Sequence, residues 1–76
     1  MDSVTNLEKL QIQLSHWIKH NLEHAEEFRR WARGTEASGF EKVASKLDAA
    51  ALEMENLNRH LQDALDLLEG SVGQDS

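Results

Sequence analysis

Arg33-Gly34-Thr35-Glu36-Ala37-Ser38-Gly39 holds the break signal in the body of this chain, and a long apolar repeat runs away from it in each direction. Upstream, Leu7, Leu10, Leu14, Trp17, Asn21, His24, Phe28 and Trp31 fall at alternating steps of three and four. Downstream, Phe40, Val43, Leu47, Ala50, Met54, Leu57, Leu61, Ala64 and Leu68 do the same. Such steps return side chains to one face of an α-helix, so each repeat reads as an amphipathic helix. Two helices of similar length around one break predict an all-α fold, an antiparallel two-helix hairpin.

Local signals set the expected boundaries. Thr5 with Glu8 reads as a capping box, so helix one is expected over about residues 4–33. Gly34 can supply the left-handed residue that ends it, with Ser38 and Glu41 capping helix two over about residues 40–69. Gly70 then reads as a stop, leaving residues 70–76 as a disordered tail. Alternatively helix one passes through Gly34 and stops at Gly39, which makes a much tighter turn. Residues 1–76 form a single domain in either case.

Composition narrows the function classes. A chain of 76 residues without Cys or Pro has no disulfide or thiolate metal site to reinforce a small core, so it is expected to gain core by associating. The net charge is −6, and all of it lies in residues 34–76, where three basic side chains meet nine acidic ones. A broad anionic surface argues against nucleic acid and anionic membranes as partners. Arg29, Arg30 and Arg33 around Trp31 read as arginines closing a last helical turn. No apolar run approaches a membrane span and no basic start leads into an apolar leader, so a cytoplasmic location is expected. The chain has no Cys nucleophile, Ser-His-acid set or glycine-rich phosphate loop, and no enzymatic activity is expected.

The turn decides which residues meet. With a turn over 34–39, Trp31 faces Phe40, Phe28 faces Val43, His24 faces Leu47 and Leu14 faces Leu57. The flanks then pair Glu27 with Lys46 and His20 with Glu53, both favourable. With a tight turn at Gly39 everything slides one heptad, His20 meets His60, and Glu27 meets Glu53, a repulsive set unless a cation lies between. The first register suits the arm lengths and is the one expected. Beside the seam runs an Ala-rich edge of Ile18, Ala25 and Ala32, facing Ala44, Ala51 and Leu65. That edge is the expected docking surface for a second hairpin, giving a homodimeric four-helix bundle with Trp17 and Trp31 as anchors. A different protein partner could use the same edge.

His16, His20 and His24 stand one turn apart on helix one. A spacing of four brings two imidazoles to one helix face, and imidazole suits nickel or zinc. The candidate metal set is His20 and His24 with Glu53 or His60 from helix two, while His16 drifts toward solvent. The competing reading makes Asn21 and His24 a polar layer that sets register, with His20 paired to a carboxylate.

The string H-W-I-K-H-N-L-E-H-A-E-E-F at residues 16–28, followed by V-A-S-K-L-D-A-A-A-L-E-M-E-N-L-N at residues 43–58, resembles a small uncharacterised helical-hairpin family. Its signature, H-W-x-x-H-N-x-x-H-A-x-x-F, falls here on His16, Trp17, His20, Asn21, His24, Ala25 and Phe28. The resemblance implies a hairpin loosely associated with nickel- or cobalt-handling proteins and implies no catalytic activity. The combined expectation is a self-associating interaction or accessory module, with a small metal-binding protein as the alternative.

Overall fold

The computed structural model describes the backbone of residues 2–74 and the side chains of residues 6–70. Two helices account for nearly all of it: α1 (Asp2–Ala37) and α2 (Glu41–Gln74). The Thr5 half of the expected capping box falls outside the described side chains. Among the described residues no helix is long and apolar enough to cross a membrane. The hairpin measures 57 × 15 × 13 Å, one helix pair thick in both short directions.

α1 runs straight through Gly34, so the tight turn is the one that forms. Gly39 takes φ = +92°, a left-handed conformation that glycine adopts without a Cβ clash. The Phe40 amide reaches back to the Thr35 carbonyl at 2.8 Å and the Gly39 amide to the Glu36 carbonyl at 3.0 Å. These two bonds make a Schellman closure and satisfy carbonyls that a helix end would leave bare. Ser38, expected to cap helix two, serves α1 instead: its hydroxyl donates to the Gly34 carbonyl at 3.0 Å. Phe40 opens α2, its carbonyl accepting from the Ala44 amide at 3.0 Å. α2 in turn passes Gly70 and reaches Gln74, so no tail begins at residue 70.

The tight turn slides the register. The Asn21 side-chain amide donates to Asn58 Oδ1 at 3.0 Å, and Asn58 Nδ2 donates to the Ile18 carbonyl at 3.0 Å. Asn21 therefore lies opposite Asn58, and the facing pairs expected from the long turn do not form. Neither do the flank pairs Glu27–Lys46 and His20–Glu53. Among the described residues the ion pair between the helices is Arg29–Glu55, a two-pronged contact at 2.5 and 3.0 Å. Because α1 continues to Ala37, no basic residue lies in its last turn, and Arg29 closes onto α2 instead of the helix end.

The seam also runs along a different stripe from the expected one. Leu14, Ala25 and Ala32 of α1 are buried against Ala44, Ala51 and Leu65 of α2, with Asn58 the buried polar residue among them. Ile18, Asn21, Phe28, Leu47, Met54 and Leu61 flank them half-buried. The Ala-rich edge is thus the hairpin's own interface and is closed to a second hairpin. Small side chains permit close approach of two helices, and burial there costs little side-chain entropy. Many large residues lie outside: Trp31 and Phe40 keep over 60% of their surface, and Leu10, Trp17, Val43 and Leu57 between 40% and 48%.

Candidate functional site

Many of the exposed large residues, Trp17, Trp31, Val43 and Leu57 among them, share one side of the hairpin. A groove there is lined by Phe28 of α1 and by Ala50, Glu53, Met54 and Leu57 of α2. The His24 ring stacks on Phe28 with centroids 6.0 Å apart, which puts His24 on the same side. Trp17 and Trp31 lie seven residues before and after His24, two helical turns each way, so they continue its stripe. The opposite side is more polar, carrying the Arg29–Glu55 pair with Leu22 and Leu52 exposed beside it.

Along the rim of this apolar face the histidines form a ladder of rings. His16 stacks on His20 at 5.8 Å, and His20 lies 4.4 Å from His24, tilted by 51°. His16 and His20 are exposed, and His24 is half-buried against Phe28. Glu27 approaches His24 Nδ1 at 3.8 Å, beyond hydrogen-bond reach. His16, Lys19, His20 and Glu23 line a shallow surface depression beside the row.

The helix-two partners expected for these histidines do not arrive. With Asn21 opposite Asn58, His20 lies level with Arg59, and Glu53 is six residue rises, about 9 Å, away along the axis. His60 is near the right level and continues the stripe of Glu53, seven residues earlier, at the outer rim of α2 away from the seam. Among the described residues no group of three or more His, Cys, Asp or Glu could hold a metal ion. One chain therefore brings His20 and His24 together, without Glu53 or His60. The expected polar layer is also rearranged: Asn21 pairs with Asn58, and His24 stands off the seam. Asn58 was not singled out from the sequence, although it lies seven residues from both Ala51 and Leu65, on the Ala stripe.

This face can bury apolar area and present two imidazoles at its rim. The family profile described as a domain of unknown function, DUF8180, matches residues 10–68. An uncharacterized protein from Archaeoglobus fulgidus is 36% identical over 62 residues, spanning 82% of this chain and 98% of that protein. No solved structure matches. Neither description names an activity or a metal, so the resemblance to nickel- and cobalt-handling proteins gains no support from them.

Proposed function

The chain belongs to the DUF8180 family of unknown function, and we propose that it is a small, non-enzymatic interaction module that works as a homodimer. The observation that carries this reading is the exposed face of Leu10, Trp17, Trp31, Phe40, Val43 and Leu57 on a hairpin one helix pair thick. Among the described residues the buried core holds two leucines, Leu14 and Leu65, and otherwise alanines, so much large apolar surface is left on that face. Covering each half-exposed large side chain is worth roughly 1 kcal/mol or more. A second copy supplies an equal face, and two such hairpins make a four-helix bundle whose large side chains meet in the middle. The bundle expected from the sequence is kept, with the roles of its two faces exchanged.

Sedimentation equilibrium at micromolar concentration tests this. The parent chain is expected to run as a dimer, and Trp31→Glu, which buries a charge on docking, as a monomer. Leu52→Glu serves as the control, because Leu52 lies one turn before Glu55 on the polar side and should leave the dimer intact. A parent that is a folded monomer overturns the proposal. A dimer that survives Trp31→Glu but not Leu52→Glu moves the interface to the other side.

A further inference from the structure

We infer that the dimer holds one divalent transition-metal ion per chain, bound by His20 and His24 of one copy and by Glu27 of the other. The inference rests on the homodimer proposed above.

A two-fold contact must be self-complementary: if residue i meets j, then j meets i. The exposed stripe of α1 has that property about His24, with a tryptophan seven residues away on each side. Reversing one α1 against another sets Trp17 against Trp31 of the second copy and brings the two His24 side chains together.

The rim residues fit the same arrangement. His20 lies four residues before His24 and Glu27 three after it. Reversal about His24 therefore sets His20 opposite Glu27 of the second copy, within about one residue rise of 1.5 Å. Stacking the copies with turns at the same end instead puts α1 over α2. Glu27 then falls opposite Glu53, like charge against like, and His24 is pressed onto Ala50, Met54 and Leu57 without a polar partner.

Within one chain the two imidazoles are already gathered, with rings 4.4 Å apart at the spacing that lets both bind one ion. The same chain's Glu27 stands 3.8 Å from His24 Nδ1, but among the described residues it completes no three-ligand group, and the second copy supplies a carboxylate at the level of His20. Two imidazoles and a carboxylate suit zinc or nickel, with water in the remaining positions.

Isothermal titration with zinc and with nickel, run beside sedimentation, is the test. The parent dimer is expected to bind one ion per chain. His20→Ala/His24→Ala and Glu27→Gln, each alone, are expected to lose binding while remaining dimeric. Refolded together, the two variants form mixed dimers in which the Glu27→Gln chain keeps its histidines and the other keeps Glu27. Those mixed dimers regain one ion each. If the alanine variant does not fold, His20→Gln/His24→Gln takes its place in the same mixture. A mixture that stays silent overturns the shared site, as does a Glu27→Gln chain that binds like the parent. One ion per dimer, insensitive to Glu27→Gln, overturns it in favour of the two His24 side chains alone. A parent dimer that binds no metal overturns this inference and leaves the homodimer standing, whereas a monomeric parent removes both.

Discussion

Asn58 and Glu55 carry most of the polar recognition between the helices, and they do so differently. Asn58 is 7% exposed and has both ends of its amide used, one by Asn21 and one by the Ile18 carbonyl. A buried amide left unpaired by a one-heptad slide costs free energy, so this pair penalises the alternative registers more than it adds stability. Glu55 is half-exposed, and its carboxyl is held below its ordinary value of 4.5, first by the hydrogen bonds from Arg29, with burial opposing them and the charges of Arg29 and Arg59 adding to the lowering. A depressed carboxyl stabilises the fold above its unfolded value, and that contribution fades as pH falls through the lower folded value. Thermal unfolding of the parent and of Glu55→Gln should therefore differ most near neutrality and converge as pH drops below 4.5. Added salt should narrow the gap as well, because a half-exposed pair is screened. A gap independent of both pH and salt would remove the ion pair from the account.

At the scale of elements, the existence of two helices is legible in the heptads, but the turn between them is not. The break offers two glycines, and each can end a helix. The choice is made by backbone bonds from Phe40 and Gly39 to Thr35 and Glu36, which only the second option brings into register. Ser38 misleads for a related reason, since the same hydroxyl can cap the next helix or bond back to the previous one. The two glycines should accordingly respond in opposite ways to alanine. Gly39→Ala forces a Cβ into the left-handed region and is expected to cost about 1 kcal/mol. Gly34 is helical with no heavy atom within 4 Å of an added Cβ, and Gly34→Ala is expected to add about 0.5–1 kcal/mol. Urea unfolding of the two variants checks the signs, and a gain from Gly39→Ala would contradict the observed closure.

The whole molecule carries two apolar stripes side by side, and periodicity alone does not say which one closes the hairpin. Leucines, tryptophans and Phe28 make the louder pattern, so it reads as the seam. The alanines, half a heptad step away, read as an edge. Packing reverses that order, because Ala25, Ala32, Ala44 and Ala51 let the two helices of one chain close on each other while the bulky stripe is left facing out. The histidine site was half legible for the same reason. The spacing of His20 and His24 lies within one helix and is visible in the sequence, whereas any ligand from α2 depends on register and facing, both set by the turn. A hairpin organised this way should owe much of its stability to association. Its unfolding midpoint is then a function of protein concentration, since a dimer that unfolds to two free chains gains about 2.7 kcal/mol for a roughly hundredfold rise in concentration. Melting followed by circular dichroism from about 1 to about 100 µM should show the midpoint climbing by several degrees. Tryptophan emission followed on heating should shift to the red at the same concentration-dependent midpoint, because Trp17 and Trp31 return to water when the faces separate. A midpoint that does not move across that range would mean that the alanine seam alone holds the fold, with the large face surplus to its stability.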